Sequence, residues 1–205
     1  MADDTDSAEQ SCREGENPGD FSVDWARHWL LERSTKFLNH GSFGACPKRV
    51  LKRQSELRTQ MERQPLRFFD REFPHLLDQA RAELADFIGC DTDGLAFVPN
   101  ATTGVNAVLR SRDFDPGDEL LVTNQAYPAC RNALEFVARR SGASIEVIDL
   151  PFPVDGPDES IEAVLEGVTP KTDLLLIDHI TSQTGLVLPI AERCEQLNER
   201  NVDTL

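Results

Sequence analysis

From residue 95 to the end, the chain repeats one pattern: a short apolar run, a turn, then an amphipathic stretch. The apolar runs are Leu95–Val98, Glu119–Thr123, Ser144–Asp149 and Asp173–Asp178. The stretches with helical spacing are Ala101–Arg110, Pro128–Arg140 (closing near Gly142), Glu159–Gly167 and Ile190–Arg200. A strand that pairs again only after a helical crossover pairs in parallel. Parallel strands are covered on both faces, so runs such as Leu120-Leu121-Val122 and Leu174–Ile177 are unbroken rather than alternating. The predicted fold class is α/β, a mainly parallel sheet with helices on both faces. Val202–Leu205 begins a further strand as the chain stops. That ending is read as a truncation at the C-terminal end, in the N-terminal part of a longer protein. The other reading is a natural edge strand.

Upstream the pattern is helical. Asp24–Glu32 is predicted to be a short helix with Trp25, Trp29 and Leu30 on one face. Phe37–Pro47 is a Gly/Ser/Asn-rich turn. A long helix runs from Lys48 to about Gln64 and stops at Pro65. Pro74 opens another, with Leu76, Leu77, Ala80, Leu84, Phe87 and Ile88 as its stripe and Gly89 as its cap. Residues 1–20 hold seven acidic residues against Arg13 alone, a net −6. With no aromatic or β-branched aliphatic residue, they read as a disordered acidic leader. The expected organisation is a leader at 1–22, a helical segment at 23–90 and a partial α/β domain at 91–205.

Charge narrows the function. The net charge of −15 argues against a nucleic-acid partner and against docking on an anionic membrane. The longest aliphatic run, Leu174–Ile177, is too short for a membrane span, and the leader lacks the apolar stretch of a signal peptide. A cytoplasmic protein is expected. Cys12, Cys46, Cys90, Cys130 and Cys194 are too far apart for a zinc pattern and read as free thiols; no metal site is predicted.

Three segments carry polar groups to strand ends. Phe97–Gly104 (FVPNATTG) passes from a strand into a helix through small and hydroxyl residues. Such a helix start offers unpaired N–H groups to a phosphate, and it also reads as an ordinary cap by Asn100. Tyr127, the only tyrosine, follows the next strand, either as a ligand-facing ring or as a packing aromatic. Asp178, His179, Thr181, Ser182 and Gln183 follow the buried run Leu174–Ile177. There is neither GxGxxG nor GxxxxGK[ST] to support a dinucleotide site or a P-loop.

FLNHGSFGACP, RQPLRFFDRE, FVPNATTGVNAVLRS, GDELLVTNQAYPACRNAL and IDHITSQTGLVLPI, in this order, resemble the class V aminotransferase family of pyridoxal-phosphate enzymes of fold type I. The branch is isopenicillin N epimerase-like, related to the cysteine desulfurases. The resemblance implies pyridoxal 5'-phosphate as cofactor, an amino-acid substrate, and a homodimer in a complete chain. It implies that Ala101 and Thr102 cradle the cofactor phosphate, that the Tyr127 ring stacks on the pyridine, and that Thr181 bonds the phenolic oxygen. Asn39, His40, Gly41 and Ser42 would line the substrate side. His179 and Gln183 lie beside this edge without a fixed role. Epimerase, C–S lyase and aminotransferase chemistry all fit.

The family also uses a lysine that holds the cofactor covalently and a carboxylate against the pyridine nitrogen. The lysines here are Lys36, Lys48, Lys52 and Lys171, and none matches that position. Asp178 matches a different strand from the family's carboxylate and is not assigned that role. No catalytic residue is therefore expected in this chain. Two alternatives to an enzyme remain: an inactive truncated remnant, and a non-enzymatic module that binds a phosphorylated metabolite.

Overall fold

The computed structural model describes residues 24–190 and 196–205. The leader expected at 1–22 lies outside the described residues, as do residues 191–195 of the helix expected at 190–200, of which 196–199 are helical. The chain divides into two compact units, Met1–Leu95 and Ala96–Leu205.

The first unit is helical. Its elements are a 3-10 turn at Trp25–His28, α1 (His40–Phe43), α2 (Lys48–Arg63), α3 (Pro65–Arg67), a π-helical turn at Phe68–Glu72 and α4 (Phe73–Ile88). The helix expected over 24–32 is only that 3-10 turn. Trp29 adopts extended geometry and donates its indole N–H to the Ala45 carbonyl at 3.0 Å, which ends the coil. Pro65 stops α2 as predicted, because Gln64 before it is held out of the helical region at φ −155°, ψ 79°. The sequence pattern misses the π-helical turn between Pro65 and Pro74. There the Glu72 carboxylate receives Gln60 Nε2 at 2.6 Å and Arg67 Nε at 2.5 Å. These two donors hold its carboxyl below the usual glutamate range. Gly89, at φ +72°, closes α4 in the left-handed region.

The second unit is the parallel sheet. Its elements are α5 (Ala101–Ser111), β1 (Glu119–Thr123), α6 (Pro128–Ser141), β2 (Ser144–Ile148), α7 (Pro157–Gly167), β3 (Thr172–Leu176) and β4 (Asp203–Thr204). The strand order is β2-β1-β3-β4, with every pairing parallel. The central strands β1 and β3 are buried on both faces, as their unbroken apolar runs predict. Leu120, Val122, Leu174 and Leu176 pack against Leu109 of α5 and Leu134 of α6. Leu121, Leu175 and Ile148 pack on the opposite face, against Val164 of α7 and Leu197. At the β2 edge, Glu146 and Val147 are exposed.

One expected strand is absent. Leu95–Val98 is not a strand, and among the described residues none of the four strands pairs with it. Without a neighbour its amides have no ladder to join, and Phe97 and Val98 stay half exposed. Among the described residues, no helix is long and apolar enough to cross a membrane.

Candidate functional site at the carboxyl edge of the sheet

Helix α5 runs opposite to the strands. Arg112, just past its end, donates to Asp203 and, at 3.0 Å, to Asp173. Asp203 opens β4 and Asp173 is the second residue of β3, so this is the amino edge. An eleven-residue helix is about 16 Å long. Its start, at Ala101 and Thr102, therefore lies toward the carboxyl ends of the strands.

Asn100 caps that start. Its Oδ1 accepts the Thr103 backbone N–H at 2.9 Å and the Thr103 hydroxyl at 3.1 Å. The first amide to reach a helical acceptor is that of Gly104, which donates to the Asn100 carbonyl at 3.2 Å. The amides of Ala101 and Thr102 precede it and have no acceptor within the helix. Asn100 is thus the cap that the sequence suggests, and two amides and the positive end of a helix are left at this edge.

The loop after β1 meets the same edge. Asp178, two residues past β3, accepts the Tyr127 backbone N–H on its Oδ2 at 2.8 Å. Tyr127 is the N-cap of α6, and the residue is 44 % exposed. One turn into α6, the Cys130 thiol is buried near the Thr102 hydroxyl and the Asp178 carboxylate. Burial and, next, the Asp178 carboxylate push this thiol up, against the smaller effect of Thr102. Thr102, Tyr127, Cys130 and Asp178 thus form one cluster.

Thr181 belongs to a third segment, a tight loop closed by the bridge between Ile180 and Val187. It is buried, and its hydroxyl serves the loop. Its Oγ1 accepts the Leu186 N–H at 2.9 Å and lies 2.7 Å from Thr184 Oγ1. Thr184 in turn donates to Gln125 Oε1 at 3.3 Å, tying this loop to the one after β1. Ser182, Gln183 and His179 are exposed.

Asn39, His40, Gly41 and Ser42 lie in the first unit, at the cap and first residues of α1. The His40 ring meets the Phe37 ring edge-on at 4.8 Å, and its Nδ1 accepts the Ala45 N–H at 3.4 Å. Gly44 follows because a Cβ there would stand 2.9 Å from the His40 carbonyl oxygen. Sequence reasoning missed Cys130, Gln125 and the Asp178–Tyr127 bond. The signal for Asp178 was its place as the first polar residue after the buried run Leu174–Ile177. Cys130 and Gln125 carry no comparable signal.

The family model described as Aminotransferase class-V matches residues 41–204, which take in both strand-end loops and the α5 start. The chain belongs to the class V aminotransferase family. Among curated relatives, isopenicillin N epimerase of Streptomyces clavuligerus is 36% identical over 186 residues, covering 89% of this chain and 47% of that protein. The probable chloroplastic L-cysteine desulfhydrase of Arabidopsis thaliana is 32% identical over 180 residues, covering 81% of this chain and 38% of its own length. A solved structure of a C-DES mutant, with glycine covalently linked to its PLP cofactor, superposes with a TM-score of 0.81 at 23% identity. It covers 87% of this chain and 48% of that one, and it fixes the shared fold type I sheet. This class V chain spans about half the length of these relatives or less.

Proposed function

We propose that this chain binds pyridoxal 5'-phosphate at the carboxyl edge of β1 and β3 and serves a reaction of an amino-acid substrate. The observation that carries this reading is the convergence of the α5 start, the Thr102 hydroxyl and Tyr127 on one edge, joined through Cys130 and Asp178. The groups present fit part of the cofactor. The Ala101 and Thr102 amides, with the Thr102 hydroxyl, would hold the phosphate without net positive charge. The half-exposed ring of Tyr127 would stack on the pyridine. The resemblance gives Thr181 the phenolic oxygen, but its hydroxyl already serves Leu186 and Thr184. Its proposed contribution is therefore the shape of the loop that presents Ser182 and Gln183.

When bound, pyridoxal phosphate supplies an electron sink for bonds at the substrate Cα. The residues of this chain bind and orient. Asn39, His40, Gly41 and Ser42 are proposed to line the substrate side, and a homodimer is proposed from the resemblance. The identified relatives, an epimerase and a desulfhydrase, support epimerase or C–S lyase chemistry over the other outcomes of the fold.

A second reading, a module that holds a phosphorylated metabolite without chemistry, draws on the α5 start, whose free amides suit a phosphate alone. Lys171 immediately precedes β3, at the amino edge, opposite the proposed site. It is the only lysine of the second unit. Equilibrium dialysis against pyridoxal phosphate, pyridoxal and inorganic phosphate tests both readings. The cofactor reading predicts pyridoxal phosphate bound at least about tenfold more tightly than either part, and weakened when Tyr127 becomes Ala. Equal affinity for inorganic phosphate and pyridoxal phosphate would favour the metabolite module.

A further inference from the structure

Asp178 is given no contact with the cofactor above, yet it bonds the backbone of Tyr127, which is proposed to make one. Strand alternation places it on the α5–α6 face of the sheet. Leu174 and Leu176 pack on that face, and Leu175 and Ile177 pack on the other. Its Oδ2 reaches the Tyr127 amide at 2.8 Å, fifty-one residues away in the chain. A carboxylate is a stronger acceptor for an amide than a neutral oxygen is.

Tyr127 needs such a hold. The residue is 44 % exposed, so packing alone does not fix it. Its carbonyl is engaged by the Cys130 and Arg131 amides, each at 3.0 Å, and Pro128 after it restricts its own ψ. The Asp178 bond holds the remaining side of the residue, and with it the direction in which Cα–Cβ leaves the backbone.

We propose that Asp178 is a positioning residue, which fixes the Tyr127 ring at the carboxyl edge before any ligand arrives. This rests on the reading of Tyr127 as the platform for the cofactor ring. A plain brace between two loops would steady the backbone alone. A positioning role requires that the ring and its ligand respond as well.

Tyr127 is the only tyrosine, so tyrosine labelled with nitrogen-15 gives one backbone amide signal, and ring carbon-13 gives one set of ring signals. In the 205-residue chain, Asp178→Ala is expected to move the amide signal upfield and speed its solvent exchange about tenfold or more. The ring signals should shift toward those of a freely turning ring. Pyridoxal phosphate, titrated against the ring signals, should bind about three- to tenfold more weakly. Asp178→Asn keeps an oxygen in reach of the amide and is expected to restore all three. Should Asp178→Ala fail to fold, Asp178→Ser, whose hydroxyl is too short to reach, makes the same comparison.

The proposal is overturned if the amide is unmoved when the carboxylate is removed. It is equally overturned if the amide moves while the ring signals stay in place, since that marks a brace and nothing more. Wild-type ring signals that ignore saturating pyridoxal phosphate would refute the cofactor reading instead. The amide and ring comparisons would still decide the role of Asp178.

Discussion

The two units use their apolar residues in different ways. In the second unit, helices cover both faces of a parallel sheet, and Leu109, Leu120, Leu121, Leu134, Leu174 and Leu175 are almost wholly withdrawn from water. Among the described residues of the first unit, Phe68 and Ala85 are the buried apolar ones, while Leu66 and Phe87 are about four-fifths exposed. Both units contain well-formed helices, so helix formation is not the difference. A sheet brings many residues distant in sequence to one core, whereas α2, the π-helical turn and α4 meet mainly their sequence neighbours. Hydrophobic stabilisation follows area removed from water, so the sheet unit holds most of it. The polar groups that could meet a ligand also gather where the sheet ends, because its strands deliver separate loops to one edge.

The sharpest way to break this comparison is truncation of a buried side chain. Leu121→Ala or Leu175→Ala is expected to cost about 2–5 kcal/mol in urea unfolding, while Leu66→Ala changes stability by less than about 0.5 kcal/mol. Equal costs would show that the two units do not differ as described. Next, Arg112→Ala removes the link from the end of α5 to β3 and β4 and is expected to cost about 1–2 kcal/mol by the same assay. A neutral result would mean that packing alone seats α5.

Legibility from sequence follows the same division. The sheet unit was readable because unbroken apolar runs and capped helices leave few ways to fold, and β1, β3, α5 and α6 all fall within a few residues of expectation. The π-helical turn at Phe68–Glu72 was not readable, since its extra residue is stabilised by Gln60 and Arg67 from outside the segment. Leu95–Val98 has a strand's composition, but pairing needs a neighbour that composition does not supply. At the site, the Asn100 cap was legible from local chemistry. The Asp178–Tyr127 and Gln125–Thr184 bonds were not, because they join loops more than fifty residues apart.

Two smaller effects sharpen the comparison. Asn100→Ala is expected to cost about 1 kcal/mol of stability and to weaken pyridoxal phosphate binding, because the α5 start loses its cap. Loss of stability with unchanged binding would separate the cap from the cradle. In the first unit, the Glu72 carboxyl titrates below the usual glutamate range. Its hold on the π-helical turn is therefore complete above that range and is lost as the pH falls through the lowered value. Carbon-13 signals of the Glu72 carboxyl and Phe69 ring should move together in that acid window. In Glu72→Gln the Phe69 change should disappear.

The central claim is that the cofactor sits on the carboxyl edge of the sheet unit. Hydrogen exchange with and without pyridoxal phosphate tests it most directly. The account predicts slowed exchange at 101–104 and at 125–131, around the α5 start and Tyr127, with the amino-edge residues 169–173 unchanged. Protection centred on 169–173 around Lys171, or none at the α5 start under saturating cofactor, would contradict it.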